Sequence, residues 1–423
     1  GCAAPRPIVG QETDLANPRR VDWEPTAMKR TLPGAAVAVP ALPLGPSAGQ
    51  MPQIGFGTWG LQPQEVSTAI RAAVAAGYRS FDCAPVYQNE RQVGETLSAL
   101  IAEGVVTRSE LFITSKVPPA DACSRHRTER ALRQSLHDLR TGYVDLYLIH
   151  WPFCVRSPEP GRPRPWPPPV EDQLGYSAEQ LREEWRTIEA LVATRAVRHA
   201  GLANIGERRL AKFLASPDLA VRPAVVQVEL HPYNQMRALR ALCASHGIAV
   251  TAYSSLGSPA RPAKYQVQAD AHPLLLADPA ITQVATAHGA SAAAVALGWA
   301  MRRGVALIPK SAHRERIASN LAGTLALAPS LSPGDLAAID ALERGHHYLA
   351  AGWRGYAWKR GQSLQELLDD APPPLPPVGL GAALLLLACC CALVVCKARR
   401  HAVSRDAAHE VVRRLSFGGM PPI

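Results

Sequence analysis

The sequence predicts an α/β protein whose main domain is a (β/α)8 barrel, and two observations support this prediction. First, a chain of 423 residues that is 47% hydrophobic and 19% charged can bury one large core. Second, short apolar runs alternate with longer amphipathic runs from about residue 36 to residue 345, in eight successive pairs. Eight strand-helix units in a row favour a closed barrel over a two-domain open sheet.

The predicted strands are the short apolar runs. They lie at Ile54–Thr58, Arg79–Cys83, Leu111–Lys116, Leu146–His150, Ala200–Ala203, Val225–Glu229, Ala249–Ser254 and Val305–Pro309. Each run is followed by a helical pattern. In RTERALRQSLHDL, for example, Ala131, Leu132, Leu136 and Leu139 form one apolar stripe at three- and four-residue spacing.

A competing fold is suggested by GFGTWG at Gly55–Gly60, which has the spacing of a dinucleotide-binding G-x-G-x-x-G with Asp82 about 20 residues further on. The third glycine of that motif should open the helix, yet LQPQEV puts Pro63 before the helical pattern starts. Pro52 also interrupts the preceding run, where a central parallel strand should be unbroken. We therefore reject an open dinucleotide-binding sheet.

The two ends of the chain differ from this middle region. Residues 1–34 are rich in Pro, Ala and charge without any period and are predicted to be a disordered arm, and residues 35–350 form the barrel domain. A linker at 351–377 precedes an apolar run at 378–396 and a basic tail at 397–423. Much of the net charge of +10 lies in that tail, so the charge does not indicate a nucleic-acid partner.

The apolar run, VGLGAALLLLACCCALVVC, has no charged residue and is bounded by DDAPPPLPP and KARR. As a helix it would span roughly 28 Å, close to the hydrocarbon thickness of a bilayer. A buried core helix is the alternative, but core helices rarely lack a polar stripe. The sequence therefore predicts a single-pass protein anchored in a membrane by its C-terminal helix.

The orientation of this anchor is open. Five of the nine cysteines lie outside the apolar run without disulfide or metal-ligand spacing, which predicts reduced thiols, no metal and a cytosolic barrel. The absence of a visible signal sequence agrees with that location. The basic tail argues for the opposite orientation by the positive-inside rule. We expect the barrel on the cytosolic side.

Polar residues end several of the predicted strands, at the edge where barrel enzymes collect their chemistry. Asp82 ends the second strand, and Tyr87 follows in the next loop. Lys116 and His150 end the third and fourth strands. Tyr253 ends the seventh, while Lys310 and Ser311 follow the eighth. Packing alone does not explain so many polar groups on successive apolar strands.

These residue types suggest proton transfer. Tyrosine has a reference pKa of about 10, so Tyr87 would donate a proton more readily if the charge of Lys116 lowered that pKa. Asp82 would be the counterion that holds Lys116 beside the phenol. His150 would hydrogen-bond a substrate oxygen and orient it.

The sequence resembles the aldo-keto reductase family through stretches in family order across residues 50 to 325. They are GFGTW, GYRSFDCAPVYQNERQVG, LFITSK, DLYLIHWP, VVQVELHPYNQ, VTAYSSLGS and IPKSAHRERIASN. The resemblance implies a (β/α)8 barrel and NADPH-dependent reduction of a small-molecule carbonyl substrate. Asp82, Tyr87, Lys116 and His150 match the catalytic tetrad of the family, with Tyr87 as general acid.

The resemblance also implies a cofactor site. Tyr253 would stack on the nicotinamide, whose carboxamide Asn204 and Gln227 would bind. The matches to the pyrophosphate path are Thr58, Ser254, Leu256 and Ser258, and those to the adenosine end are Lys310, Ser311, Arg316 and Asn320. Two cations with a hydroxyl suit a 2'-phosphate, which favours NADPH over NADH. Trp59 and Trp151 match aromatic positions beside the substrate.

Several positions depart from the family pattern. Ala203 stands where serine is usual, which would remove one carboxamide contact. SKVPP lacks an aromatic residue two positions after Lys116, and Ser319 replaces a common acidic residue near the adenine. The Pro-rich segment Arg156–Pro169 extends the loop after the fourth strand, either as an exposed insertion or as a lid.

Three functions are compatible with these residues. The first is an NADPH-dependent reductase of aldehydes or ketones, sugars among them. The second is a membrane-tethered NADPH sensor or channel-associated interaction module with little turnover, and turnover would separate it from the first. The third, Schiff-base chemistry at Lys116, is disfavoured because a carboxylate beside the lysine keeps it charged. The sequence does not identify the substrate or the oligomeric state.

Overall fold

The computed structural model describes residues 38–45, 49–155, 173–175, 177–259 and 273–348. The predicted arm at 1–34, the linker at 351–377, the membrane helix at 378–396 and the tail at 397–423 lie outside these residues. The Pro-rich segment Arg156–Pro169 lies outside them as well. The description that follows therefore concerns the predicted barrel domain.

Eight parallel strands form one sheet, and each strand predicted from the sequence contributes to it. In chain order they are β3 (Phe56–Gly57), β4 (Ser80–Asp82), β5 (Phe112–Val117), β6 (Val144–Ile149), β9 (Val197–Ala203), β10 (Val225–Glu229), β11 (Ala249–Tyr253) and β12 (Val305–Leu307). Their order across the sheet is the same as their order along the chain. This arrangement agrees with eight consecutive strand-helix units.

The sheet closes on itself between its first and last strands. Ile54 forms a parallel bridge with Leu307, and the N–H of Gly57 donates to the carbonyl oxygen of Pro309 at 3.1 Å. A Cβ atom at Gly57 would lie 2.7 Å from the carbonyl oxygen of Ile308, so the seam needs glycine there. The closed parallel barrel confirms the predicted fold class and excludes the open dinucleotide-binding sheet.

Helices surround this barrel. They are α1 (Pro63–Ala76), α2 (Glu90–Ala102), α3 (Arg125–Asp138), α4 (Ala178–Ala193), α5 (Glu207–Leu214), α6 (Arg237–Ser245), α7 (Pro279–Ala287), α8 (Ala292–Arg302), α9 (Arg314–Leu327) and α10 (Pro333–Asp340). In α1 the buried residues Val66, Ala69, Ile70, Ala73 and Val74 form the stripe that faces the sheet. The main core lies between the helices and the strands.

Two short hairpins lie outside the barrel sheet. The antiparallel strands β1 (Ala41–Pro43) and β2 (Gln50–Pro52) precede the first barrel strand. Leu44 and Met51 of this hairpin pack with Phe112 and Ala249, which begin β5 and β11, so the hairpin covers the N-terminal end of the barrel. The strands β7 (Cys154–Val155) and β8 (Gln173–Gly175) pair after β6, at the opposite end.

The cysteines correct one expectation. Cys123, before α3, and Cys154, in β7, form a disulfide with their Cα atoms 6.0 Å apart. The prediction that all thiols are reduced is therefore wrong for this pair, whereas Cys83 and Cys243 are free and buried. Sequence spacing did not reveal the pair because the two cysteines meet only when the loops after β5 and β6 lie side by side.

Length and hydropathy distinguish the described helices from a membrane span. Within residues 38–348, gaps excepted, no single helix is both long and apolar enough to cross a bilayer. The helices α7 and α8 meet that criterion only as a pair, and they are bent by 93° at the break between them.

Gly94 provides a test of helix packing. It lies in α2 where that helix meets the end of α3, and a Cβ atom there would overlap the carbonyl oxygen of Asp138 and lie 2.5 Å from the Cα of Leu139. We expect Gly94→Ala to lower the free energy of unfolding by about 2 kcal/mol or more. Urea denaturation measures this change.

Gly142→Ala is the matched control, because a Cβ atom at Gly142 meets nothing within 4 Å. We expect it to change stability by less than about 0.5 kcal/mol. Equal stability of the two variants would show that α2 and α3 do not approach each other as closely as described.

Candidate active site

A buried lysine lies at the centre of the C-terminal end of the barrel. The side chain of Lys116 is fully buried, and its Nζ donates to Asp82 Oδ1 at 2.6 Å, to the carbonyl oxygen of Cys83 at 3.0 Å and to the Tyr87 hydroxyl at 2.9 Å. An ammonium has three protons to donate, and each of them has an acceptor here. Lys116 is thus fixed in one position.

The backbone brings these groups together in a simple way. Asp82 is the last residue of β4, and Lys116 lies one residue before the end of the neighbouring strand β5. Tyr87 ends a short 3-10 turn, Pro85–Tyr87, that follows β4. Asn89, two residues after Tyr87, donates from Nδ2 to the carbonyl oxygen of Thr58 at 2.9 Å, which ties this turn to the end of β3.

A second buried carboxylate lies behind this group. Glu90, the first residue of α2, is 4% exposed, and its two oxygens accept hydrogen bonds from Ser115 at 2.6 Å and from Ser135 at 2.9 Å. Ser115 precedes Lys116 on β5, and Ser135 belongs to α3. Glu90 therefore fastens the start of α2, and with it the Tyr87 turn, to the strand that carries Lys116.

The pKa of the Tyr87 phenol is higher than the sequence predicted. Burial, followed by the negative charge of Asp82, raises the pKa of Tyr87 well above its ordinary value. The sequence predicted a lowered pKa for Tyr87, and that prediction is wrong for this structure because burial and Asp82 dominate. The consequence is that Tyr87 carries its proton throughout the neutral pH range, which is the state a proton donor requires.

His150 lies beside the Tyr87 phenol. It directly follows β6, it is buried, and its ring meets the Tyr87 ring edge-on with centroids 5.9 Å apart. Burial and then the charge of Lys116 lower the pKa of His150 well below its ordinary value. The imidazole is therefore neutral at neutral pH, when it retains one N–H group as a hydrogen-bond donor.

The residues predicted at the nicotinamide end join the same network. Gln227 Nε2 donates to the second oxygen of Asp82 at 2.7 Å. The Tyr253 hydroxyl donates to Asn204 Oδ1 at 2.6 Å, and Asn204 Nδ2 donates to the carbonyl oxygen of His150 at 2.8 Å. The structure thus brings Asn204, Gln227 and Tyr253 beside Asp82 and His150. Ala203, next to Asn204, presents no hydroxyl.

The four residues predicted along the pyrophosphate path fall into two groups. Ser254, Leu256 and Ser258 lie in one turn after β11, and all three are half-buried. Thr58 lies apart from them at the end of β3, where it is fully buried and donates from Oγ1 to the carbonyl oxygen of Asp82 at 2.8 Å. Its hydroxyl holds two strand ends together.

The residues predicted at the adenosine end surround the start of α9. Ser311 and Asn320 are buried, Lys310 is half-buried, and Arg316 is exposed in the first turn of the helix. Within the described part of the chain, neither Lys310 nor Arg316 has an ion-pair partner. Two such cations at the N-terminus of a 14-residue helix fit a phosphate group, so these residues suit NADPH.

The two tryptophans predicted beside the substrate lie on different loops. Trp59 is half-buried directly after Thr58. Trp151 is buried directly after His150, with its ring centroid 5.5 Å from that of Phe153. The Cys123–Cys154 disulfide joins the loop that carries Trp151 to the loop after β5.

Sequence reasoning missed Glu90 as part of this site. The sequence did contain an indication, because Glu90 follows Tyr87 by three residues in YQNE and stands at the start of a predicted helix. A glutamate at the start of a helix is usually an exposed charge, however, and only its contacts with Ser115 and Ser135 show that it is buried. The disulfide between Cys123 and Cys154 was missed as well.

The fold and the residues gathered at the strand ends are those of an oxidoreductase with a (β/α)8 barrel. The chain belongs to the aldo/keto reductase family, because the sequence profile of the "Aldo/keto reductase family" matches residues 53–344, more than two thirds of its length. The cofactor of this family is NADPH, in agreement with the cations at the start of α9.

Known relatives cover the same region. The chain is 38% identical to mouse (Mus musculus) aldo-keto reductase family 1 member A1 over 306 residues, which are 71% of this chain and 88% of the mouse protein. It is 37% identical to the human (Homo sapiens) protein of that name over 306 residues, again 71% of this chain and 88% of the relative. An aldo/keto reductase of Synechocystis sp. is 40% identical over 324 residues, or 76% of this chain and 94% of that protein.

Glu90 makes the stability of the barrel depend on pH. Burial raises the pKa of Glu90 to about 7, against about 4.5 in the unfolded chain. Below pH 4.5 the carboxyl is neutral in both states. As the pH rises to about 7, the unfolded chain ionises freely while the folded chain does not, so the folded state loses about 3 kcal/mol of stability.

We expect Glu90→Gln to remove this loss, so that the variant gains stability relative to the parent chain between pH 4.5 and 7. Urea denaturation across that range measures the difference. Glu103→Gln, just after the end of α2, is the control: the hydrogen bond from Arg71 lowers the pKa of Glu103, so its titration affects stability below pH 4.5 and the variant should differ from the parent chain by a nearly constant amount between pH 4.5 and 7. A constant difference for Glu90→Gln would contradict the prediction.

Proposed function

We propose that the protein is an NADPH-dependent reductase that converts aldehydes or ketones, sugars among them, to alcohols, with Tyr87 as the general acid. The observation that carries the proposal is the Tyr87 hydroxyl at 2.9 Å from Lys116 Nζ, with Asp82 as the counterion of the lysine. A phenol held against an ammonium can release a proton and have the resulting phenolate stabilised at once.

The roles of the tetrad follow from this arrangement. NADPH, when bound, supplies a hydride to the carbonyl carbon. The electrons of the C=O π bond move to the oxygen, which takes the proton of the Tyr87 hydroxyl. Lys116, fixed by Asp82, stabilises the phenolate that remains, and the neutral ring of His150 donates a hydrogen bond that orients the carbonyl oxygen. Proton transfer is favourable even though the pKa of Tyr87 is raised, since an alkoxide is far more basic than a phenolate.

The cofactor residues have distinct roles in this proposal. Tyr253 stacks on the nicotinamide, and Asn204 and Gln227 hold its carboxamide. Thr58, Ser254, Leu256 and Ser258 lie along the pyrophosphate. Lys310, Ser311, Arg316 and Asn320 bind the adenosine end with its 2'-phosphate, supported by the two cations without ion-pair partners described above. Trp59 and Trp151 flank the substrate.

The first prediction concerns Tyr87. We expect Tyr87→Phe to lower kcat for carbonyl reduction by a factor of about a hundred or more, because the general acid is lost while the ring remains. NADPH oxidation is followed by absorbance with a panel of aldehydes, ketones and sugars. Tyr143→Phe, at the N-terminal end of the barrel between Arg108 and Arg198, should keep full activity.

The result also decides between enzyme and sensor. Tight NADPH binding without turnover of any carbonyl in the parent chain would contradict the reductase. It would leave a membrane-tethered NADPH sensor or interaction module as the better description. Equal activity of Tyr87→Phe and the parent chain would instead show that a group other than Tyr87 supplies the proton.

We further propose that the barrel at 35–350 is attached through the linker at 351–377 to a membrane helix at 378–396, with residues 1–34 as a disordered arm. The support is the uncharged apolar run and the basic residues after it. The need for NADPH favours a barrel in the cytosol. The Cys123–Cys154 disulfide removes the argument for the cytosol that rested on reduced thiols.

We expect deletion of residues 378–423 to move the protein from the membrane fraction to the soluble fraction after carbonate extraction. Deletion of 397–423 alone, which leaves the apolar run, should keep it in the membrane. Protease treatment of sealed vesicles then shows which side carries the barrel. Recovery of the full chain in the soluble fraction would contradict the tether.

A further inference from the structure

The segment Leu342–Tyr348, after the last described helix, packs against the C-terminal end of the barrel. The N–H groups of Arg344 and His346 donate to the carbonyl oxygen of Tyr233 at 3.3 and 2.9 Å. The guanidinium of Arg344 lies 3.4 Å from the centroid of the Tyr233 ring. The segment is therefore attached to the loop after β10 at several points.

Glu229, the last residue of β10, anchors the end of this segment. It is 3% exposed, and its Oε1 accepts the N–H of Tyr348 at 2.6 Å and contacts His231 Nε2 at 3.1 Å. His347 Nδ1 lies 3.5 Å from its other oxygen. Burial opposes ionisation of Glu229, but the hydrogen bonds from His231 and His347 outweigh it and hold its pKa well below the usual value. The anchor is thus a carboxylate at neutral pH.

Tyr348 contacts the chain after β11 at two places. Its hydroxyl donates to the carbonyl oxygen of Pro273 at 2.6 Å. A Cβ atom at Gly257 would lie 3.1 Å from the Tyr348 ring and 3.0 Å from Leu275, so glycine leaves the space that the ring occupies. Tyr348 is 3% exposed and forms a small apolar cluster with Tyr233 and Leu275.

The turn that Tyr348 contacts has a conformation that needs support. Three residues of the turn Ser254–Ser258 have positive φ angles, 54° at Ser254, 73° at Gly257 and 48° at Ser258. Two of them are serines, for which the left-handed region is disfavoured. Inside the turn, the N–H of Gly257 donates to the carbonyl oxygen of Ser254, and the two serine hydroxyls lie 2.8 Å apart.

We propose that Tyr348 is a positioning residue for NADPH: held by Glu229, it braces the turn Ser254–Ser258 in the conformation that binds the pyrophosphate. The inference rests on the proposed place of the pyrophosphate at this turn. Tyr348 itself does not touch the cofactor. It fixes Gly257 from the side of the C-terminal segment, so the turn does not have to be ordered when NADPH binds, and the entropy cost of binding is smaller.

The test is the dissociation constant of NADPH for the full chain, measured by fluorescence titration in the absence of substrate. We expect Tyr348→Ala to raise Kd on the order of tenfold, because the turn loses its brace. Tyr348→Phe keeps the ring and loses only the bond to Pro273, so its Kd should rise about threefold. If turnover is observed, KM for NADPH should rise with kcat unchanged.

Two further variants complete the experiment. Tyr143→Ala removes a tyrosine at the opposite end of the barrel and should leave Kd unchanged. Ser258→Ala tests the turn itself and should weaken binding. If Ser258→Ala weakens NADPH binding but neither Tyr348 variant does, the turn binds the pyrophosphate and the proposed role of Tyr348 is wrong. If neither Ser258→Ala nor either Tyr348 variant changes Kd, the turn does not bind the pyrophosphate and the proposed role of Tyr348 is wrong as well. Both results are independent of carbonyl turnover.

Discussion

The buried ion pair between Lys116 and Asp82 is the interaction on which the site depends. Removing two charges from water is unfavourable unless every donor and acceptor finds a partner, and here Lys116 donates three hydrogen bonds while Asp82 also accepts one from Gln227. The pair forms only if β4 and β5 are neighbours in the correct register. The pairing of strands in the closed barrel therefore holds the Lys116 ammonium beside the Tyr87 phenol.

Close approach of backbones makes this barrel possible. Gly57 at the seam and Gly201 in β9 both lie where a Cβ atom would meet a carbonyl oxygen, of Ile308 and Val225 respectively. Gly94 allows α2 to lie on the end of α3 in the same way. Because α2 begins directly after the Tyr87 turn, its packing helps to set the position of the phenol. Small residues far from the chemistry thus contribute to the geometry of the site.

Two buried carboxyl groups fasten the Tyr87 turn and the C-terminal segment. Glu90 joins α2 to Ser115 and Ser135, which fixes the Tyr87 turn, and Glu229 joins β10 to the N–H of Tyr348, which fixes the C-terminal segment. Their environments differ: Glu90 receives only hydroxyl groups, whereas Glu229 is surrounded by His231 and His347. The pKa is accordingly raised in the first and lowered in the second. Both glutamates hold a loop in place, but ionisation is unfavourable for Glu90 and favourable for Glu229.

The sequence by itself determined the eight strands, their helices and the placement of Asp82, Lys116 and His150 at successive strand ends, because strand and helix periods are local properties of the chain. Only the tertiary structure decided that Cys123 bonds Cys154, that Glu90 is buried and that Tyr348 reaches Gly257. These contacts join residues distant in sequence, and no local pattern encodes them. The pKa of Tyr87 belongs to the same class, since burial and the neighbouring carboxylate set it, and burial depends on the folded chain.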